Sequence, residues 1–182
     1  MAEYSYELKI PLARIAVVIG KGGKVKKEIE DATGTKLQID SAEGDVFITG
    51  EDALGLYTAR EVITTIGRGF NPELAKLLLR QDYASEQVEI EDYAKTKKHE
   101  IRVRGRVIGA EGKARKIIEE LTDCHVSVYG KTITIIGEIE SVGMCKRAIE
   151  QLLSGSQHSS VYRWLEKQRR ENKRREMAGL SR

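Results

Sequence analysis

The stretch VVIGKGGKVKKEIEDATG, residues 17–34, places a glycine-rich turn between a short apolar run and a lysine-rich segment. After the turn, Val25, Ile29 and Ala32 fall at i, i+4 and i+7, on one face of a helix. Gly34 stands where a left-handed helix cap is expected. A glycine-rich turn that opens a helix indicates that backbone N–H groups approach a phosphate. The phosphate belongs either to a nucleotide, in an enzyme, or to a nucleic-acid strand, in a binding module.

The same pattern recurs 89 positions later, in RVIGAEGKARKIIEELTD at residues 106–123. Nine of sixteen positions are identical between residues 18–33 and residues 107–122, including both glycines and the lysine of the shared pattern I-G-x-x-G-K. Self-similarity of this kind indicates a duplicated structural unit.

The segments that flank each turn repeat as well. In the first copy, residues 4–10 alternate like a strand, and residues 11–19 have helical spacing with a proline at the start. Two further strands are expected at residues 36–40 and 45–50, and a longer helix follows them.

In the second copy, the corresponding strands are expected at residues 125–129 and 132–137, again before a longer helix. We predict its first strand at residues 87–93, because a strand at 99–103 leaves too little chain for a helix before Gly109. Each unit is therefore predicted to run strand–helix–turn–helix–strand–strand–helix.

These elements predict an α+β fold with two tandem domains. The predicted parts are a first domain with an appended helix at residues 1–80, a second domain at 81–163, and a basic C-terminal helix or tail at 164–182. Segments 71–80 and 159–170 are expected to be helices that bury apolar surface, and segment 81–86 is the expected hinge.

The net charge of +3 is unevenly distributed. Residues 163–182 hold eight Arg or Lys and three Glu, a local net charge of +5, which leaves −2 on the first 162 residues. Two interpretations of this helix remain open. It is either a solvated helix held by the ion pairs Glu166–Arg170 and Glu171–Arg175, or a basic arm that lies on RNA.

Neither nucleotide motif nor enzyme signature fits the sequence. A P-loop needs a hydroxyl after its lysine, where Val25 and Ala114 stand, and the third glycine of a dinucleotide fingerprint falls on Val25. No catalytic or metal-ligand pattern can be recognised among the histidines, the carboxylates and the two cysteines, so we expect no enzyme and no cofactor. The cysteine usage and the short apolar runs predict a cytoplasmic protein.

A clamp on a sugar–phosphate backbone fits the turn better. Glycines remove Cβ atoms, so that two helix ends approach the backbone closely, and the second helix contributes its positive N-terminus. Lys21, Lys24, Lys26 and Lys27 are then expected to neutralise successive phosphates.

The element order and the I-G-x-x-G loop resemble the type I KH domain (βααββα). That resemblance implies that about four single-stranded nucleotides bind at each loop, with the bases in an apolar groove between the first two helices and the second strand. In the first unit, Ile15 and Ile29 are expected to support this groove. The predicted first RNA-binding site consists of Arg14, Ile19, Gly20, Lys21, Gly22, Gly23, Lys24, Lys26, Lys27, Leu37 and Ile39. The predicted second site consists of Arg104, Arg106, Ile108, Gly109, Ala110, Glu111, Gly112, Lys113, Arg115, Lys116, Val126 and Val128, with Ile118 in support.

The second loop differs from the first by a carboxylate. Glu111 is expected to repel a phosphate, whereas the arginines and lysines around it attract one. The second clamp is therefore predicted to be competent but selective.

Across residues 4–176, the chain resembles the ribosome-assembly family of the eukaryotic partner-of-Nob protein, in a compact archaeal form. The segments that support this most are GRVIGAEGKARKIIEELTDCHVSVYGKTITIIG, residues 105–137, and SSVYRW, residues 159–164. The resemblance implies binding at the 3′ end of small-subunit (16S) ribosomal RNA, beside the site cut by a PIN-domain endonuclease. It also implies a link to the alpha subunit of translation initiation factor two. Eukaryotic relatives have lost the first GxxG, whereas Gly20 and Gly23 retain it here.

Two alternative functions remain open at this point. One is a tandem KH regulator of messenger RNA or translation. The other is a KH-fold scaffold for proteins that does not bind RNA.

Overall fold

The computed structural model describes residues 4–179. The outermost residues of the predicted first domain and of the predicted tail, 1–3 and 180–182, lie outside the described residues. The chain forms two compact units, and the division between Ser85 and Glu86 falls within the first strand of the second KH repeat.

The first unit has the predicted order of elements. Its elements are β1 (Tyr4–Lys9), α1 (Leu12–Ile19), α2 (Lys24–Thr33), β2 (Thr35–Ile39), β3 (Asp45–Gly50), α3 (Ala53–Gly67) and α4 (Pro72–Ala75), which a 3-10 helix (Lys76–Leu79) continues. The three strands form an antiparallel sheet in the order β1-β3-β2. The helix predicted over 71–80 is thus one α-turn followed by a 3-10 helix.

The second unit repeats this order. Its elements are β4 (Tyr83–Glu89), α5 (Lys97–Ile108), α6 (Lys113–Thr122), β5 (His125–Tyr129), β6 (Thr132–Glu138), α7 (Ile139–Leu153) and α8 (His158–Met177). The strand order is β4-β6-β5. Together the two units confirm the predicted α+β tandem KH fold.

Two boundaries differ from the predictions, and the rejection of a strand at 99–103 is confirmed. The strand predicted at 87–93 begins at Tyr83 and ends at Glu89, so most of the expected hinge at 81–86 is strand. Residues 99–103, rejected as a strand, lie within α5, where the Thr96 hydroxyl accepts a hydrogen bond from the His99 N–H at 3.2 Å. The expected domain boundary at 163/164 falls inside α8.

Each unit packs its helices on one face of its sheet. In the first unit, Val46 and Ile48 of β3 are buried together with Ile29, Ile63 and Ile66 of the helices. In the second unit, Ile133 and Ile135 of β6 pack in one cluster with Ile118, Ile149 and Leu152.

The appended helices bury apolar surface, as predicted. The segment from α4 through Leu79 packs on α2 and α3, and α8 packs on α6 and α7. Ala75, Leu78, Val161 and Leu165 are buried in these contacts. Within residues 4–179, no helix combines the length and the apolar character needed to span a membrane.

Candidate nucleic-acid interface

The two loops have the same backbone conformation. Gly20 has φ 74° and ψ 173°, and Gly109 has φ 73° and ψ 174°, a region that only glycine adopts readily. A Cβ on Gly20 would lie 2.5 Å from Val25 Cγ2, and a Cβ on Gly109 would lie 2.6 Å from Ala114 Cβ. These clashes explain why glycine ends the helix before each loop.

The outer side of each loop is open. Gly22 (φ 61°), Gly23 (φ 77°) and Gly112 (φ 75°) are left-handed, and a Cβ on any of them would meet no atom within 4 Å. In the part of the chain that the structure describes, no side chain caps the N-terminus of α2 or of α6. The N–H groups of Lys24 and Lys113, the first residues of the two helices, donate to the carbonyls of Lys21 and Ala110. The attraction for an anion at these ends therefore comes from the positive end of the helix dipole.

Glu111 occupies the position equivalent to Gly22. It adopts the same left-handed conformation, with φ 55° and ψ 27°, although it carries a Cβ. Its side chain is exposed on the outer side of the loop. A strained residue thus places a carboxylate where a phosphate would approach.

The predicted lysines surround the loops. Lys21, Lys24 and Lys27 are exposed and Lys26 is half-buried, whereas Lys113 and Lys116 are exposed in the second unit. Lys24 Nζ lies 3.8 Å from Glu28 Oε1, a weak contact at the surface. Arg115 is half-buried, with Nε 4.0 Å from Glu119 Oε2.

Two predicted RNA-binding arginines, both half-buried, hold helix ends. Arg14 donates hydrogen bonds to the carbonyls of Ile66 (2.9 Å) and Phe70 (2.6 Å), just at and after the end of α3. Arg106 donates to the carbonyls of Leu152 (3.0 Å) and Ser156, at and after the end of α7. Both guanidinium groups thus have a structural role that sequence reasoning missed.

Arg104, a third predicted contact, is half-buried on α5. Its Nη1 donates a hydrogen bond to the carbonyl of Gly130, in the turn between β5 and β6, at 3.3 Å. This long bond ties the side chain loosely to the turn.

The predicted groove residues divide into two layers in both units. Leu37 and Val126 are each only 4 % exposed, like the buried Ile15, Ile29 and Ile118, so that they support the groove from beneath. The remaining predicted residues, Ile19, Ile39, Ile108 and Val128, are half-buried. Ile19 and Ile108 are equivalent by the repeat, as are Ile39 and Val128, so each unit presents the same two apolar positions at its surface.

Sequence reasoning also missed a pair of equivalent glutamates. Glu30 Oε1 accepts a hydrogen bond from the Leu37 N–H at 2.7 Å, and Glu119 Oε1 accepts one from the Val126 N–H at 2.7 Å. Each glutamate thereby satisfies a backbone donor of an edge strand, β2 or β5, and ties it to the helix after the loop. The sequence did contain a signal for this role, because the same polar residue, glutamate, stands at equivalent positions of the two copies.

The cysteines and His158, the remaining residues that could carry chemistry, contact neighbouring groups within the fold. Cys124 and Cys145 are buried and free, and a hydrogen bond with Cys124, together with burial, raises the pKa of the Cys145 thiol. His158 Nε2 lies 2.7 Å from the carbonyl oxygen of Arg106. Among residues 4–179, no three His, Cys, Asp or Glu side chains are arranged to hold a metal ion.

Known families match both units. Residues 84–170 match the family of the second KH domain of PNO1, described as a eukaryotic-type KH domain of type I, and residues 5–65 match the KH domain family. A KH domain-containing protein from Methanocaldococcus jannaschii is 49% identical over 171 residues, which cover 92% of this chain and 75% of that protein.

Solved structures agree with this assignment. Dim2p from Pyrococcus horikoshii is 48% identical with a TM-score of 0.83, over 90% of this chain and 99% of that one. A chain in the crystal structure of the a/eIF2alpha–aDim2p–rRNA complex from the same organism is 46% identical with a TM-score of 0.86, over 93% of this chain and 96% of that one.

The loops, the element order and these relatives indicate an RNA-binding protein that acts in ribosomal RNA processing. The chain belongs to the archaeal, PNO1-like family of tandem KH-domain rRNA-processing proteins, which includes Dim2p.

Proposed function

We propose that this protein binds single-stranded RNA at the 3′ end of small-subunit (16S) ribosomal RNA during ribosome biogenesis and pre-rRNA processing. The observation that carries the proposal is the shared geometry of the two loops. Each has an open, left-handed turn, a helix N-terminus without a side-chain cap and two half-buried apolar side chains. A KH domain uses this combination to hold about four nucleotides by backbone and base.

The RNA contacts of the proposal are the exposed loop positions, the lysines beside them and the half-buried apolar pairs. Phosphates would meet the N-termini of α2 and α6 together with Lys21, Lys24 and Lys27, or Lys113 and Lys116. Bases would lie against Ile19 and Ile39 in one unit, and against Ile108 and Val128 in the other. Arg14 and Arg106 would act indirectly, because their guanidinium groups already donate to carbonyls.

We extend the proposal to two protein partners. The P. horikoshii complex contains a/eIF2alpha beside aDim2p and rRNA, which supports an interaction of this protein with the alpha subunit of translation initiation factor two. Binding next to the 3′ cleavage site would also place the protein beside a PIN-domain endonuclease. Both interactions would occur in the cytoplasm.

The decisive experiment crosslinks the protein to total RNA and maps the contacted nucleotides. We expect enrichment of the 16S 3′ end, and tighter binding to that sequence than to a shuffled RNA of equal composition. Equal affinity for both RNAs, with crosslinks spread over messenger RNA, would indicate the messenger RNA regulator instead.

A double variant tests the first loop directly. Lys21→Asp with Gly22→Asp removes one cation and adds two carboxylates beside the phosphate, at about 1 kcal/mol for each exposed charge contact. We expect RNA affinity to fall on the order of a hundredfold. The matched control, Gln81→Asp with Lys95→Asp, changes the net charge equally at exposed positions away from both loops. An intact fold with unchanged affinity in the double variant would exclude the first clamp.

A further inference from the structure

The C-terminal helix α8 has two faces of different character. Val161 and Leu165 are completely buried against the second unit. Arg163, Lys167, Arg170 and Arg174 follow at i, i+4, i+7 and i+11, on the opposite face, and all four are exposed. We call these four residues the basic stripe. At one residue per turn, it is about 16 Å long.

The ion pairs expected from the sequence do not neutralise the stripe. Neither Glu166–Arg170 nor Glu171–Arg175 is an ion pair in the structure. Within the described part of α8, the i,i+4 ion pair is Lys167–Glu171, at a marginal 4.0 Å. Residues 163–177 hold seven Arg or Lys against three Glu, so a net charge of +4 remains on this segment.

The helix is held firmly on the second unit. Arg169 Nη1 donates to the carbonyl of Glu120 at 2.9 Å, and its Nη2 lies 3.8 Å from Asp123 Oδ2. The guanidinium of Arg147 lies 5.2 Å from the centre of the Trp164 ring. The stripe therefore has a fixed position, and the long side chains on it lose less entropy on binding than they would on a flexible tail.

The path of α8 connects the stripe to the second loop. His158, the first residue of α8, contacts the carbonyl of Arg106, three residues before Gly109. Arg169 contacts the far end of α6, at Glu120 and Asp123. The helix thus follows α6 from the loop to its other end and continues beyond it.

We propose that the basic stripe binds the phosphates of RNA that extends beyond the nucleotides held by the second loop. This inference rests on the proposed RNA-binding function and adds a second, sequence-independent contact to it. Arginine suits phosphate recognition, and a stripe of cations at intervals of one helical turn can neutralise several phosphates of one strand. A lipid surface fits less well, because the apolar face of α8 is already used for packing.

The test compares two RNAs. The short probe is a single strand of about eight nucleotides from the 16S 3′ end, roughly twice the length that one KH loop holds. The long probe contains the same nucleotides and a single-stranded flank on both sides, each roughly as long as the short probe. The variant is Arg170→Gln, Lys173→Gln and Arg174→Gln, in which Lys173 neighbours the stripe. The control is Lys9→Gln, Lys95→Gln and Lys97→Gln, which removes equal charge at exposed positions.

Loss of three phosphate contacts lowers the single-strand salt slope by about 2. With the long probe, a fourfold rise in salt should therefore weaken the wild type about twentyfold more than the variant. The short probe should bind both proteins equally, which also verifies that the variant is folded.

Each outcome has one meaning. If the variant binds the long probe like the control, with the same salt slope, the inference about α8 is wrong while the proposed function stands. If the wild type binds neither probe, the proposed function fails. If the variant loses the short probe as well, while its circular dichroism and thermal unfolding match those of the wild type, the stripe is part of the second clamp and not an extension of it.

Discussion

The two KH units share a backbone and differ in the side chains placed on it. Among residues 4–179, the non-glycine residues with positive φ are Glu111 and Asp123. Both stand where the first unit has glycine, Gly22 in the loop and Gly34 at the C-cap of the next helix. The fold therefore requires a left-handed conformation at these positions, and the second unit meets that requirement with strain.

The two units also differ in the appended helix that packs on the helix after the loop. In the first unit, Lys76 of the short helix donates hydrogen bonds to Glu28 at 2.9 Å and to Glu73 at 2.8 Å. In the second unit, the residue equivalent to Glu28 is Ile117, and a 20-residue helix packs on α6. Asp123 contacts this helix through Arg169, which gives its carboxylate a role that a glycine could not have. The first unit is simpler, and the second carries additional charged surface.

The largest expected effect tests whether the shared backbone is obligatory. Gly109→Ala places a Cβ 2.6 Å from both the nitrogen and the Cβ of Ala114, in a backbone region that disfavours side chains. We expect a loss of about 3 kcal/mol or more in the free energy of unfolding, and a similar loss for Gly20→Ala. Gly112→Ala, which meets no atom, should cost only about 1 kcal/mol. Urea titration followed by fluorescence of Trp164, the single tryptophan, reports on the second unit.

Equal free energies of unfolding for Gly109→Ala and Gly112→Ala would contradict the expectation that the Cβ clash at Gly109 destabilises the fold. It would mean that the helix–loop junction relaxes and that the two loops need not share one conformation.

An intermediate effect tests the difference between the loops. Glu111→Gly removes both the strain and the carboxylate, so we expect about 1 kcal/mol of added stability and roughly fivefold tighter RNA binding. Glu111→Gln separates the two causes, because it should tighten binding without adding stability. Asp123→Gly should add less stability, since aspartate tolerates this conformation better and its contact with Arg169 is lost.

The reciprocal change, Gly22→Glu, should weaken RNA binding at the first loop by a similar factor. Titration of each variant with labelled single-stranded RNA measures both affinities. If RNA affinity is the same after both exchanges, phosphate does not approach this side of the loops. The functional difference between the units would then have another cause.

The smallest expected effect concerns the ion pair Lys76–Glu28, which holds the short appended helix on α2 in the first unit. The hydrogen bond from Lys76 lowers the pKa of the Glu28 carboxyl below its ordinary value of 4.5. A lowered folded-state pKa stabilises the fold above the unfolded-state pKa, and this stabilisation disappears as the pH falls through the folded value. Glu28→Gln should therefore loosen α4 slightly at pH 7 and have no effect in strong acid.

Hydrogen exchange of the amides of α4 at several pH values measures this local opening. The second unit, with Ile117 at this position, serves as the internal control. A difference between wild type and variant that persisted unchanged into strong acid would show that the carboxylate is not responsible.

Much of the fold follows from local patterns. The repeat of I-G-x-x-G-K, the strand and helix periodicities and the appended helices were all predictable, because turn chemistry and apolar spacing act over a few residues. The start of β4 was misplaced, since Tyr83 and its neighbours join a sheet whose other strands lie more than 40 residues away.

The sequence by itself determined two GxxG loops, each between two helices, and the excess of positive charge near the C-terminus. Tertiary structure alone decided which basic side chains of the whole chain are available to RNA. Arg14 and Arg106 hold distant helix ends, whereas the basic stripe on α8 is left exposed. The physical reason is that a long charged side chain takes its partner from whatever the fold brings near it. The left-handed conformation of Glu111 has the same origin, because the loop geometry is imposed by the helices on both sides.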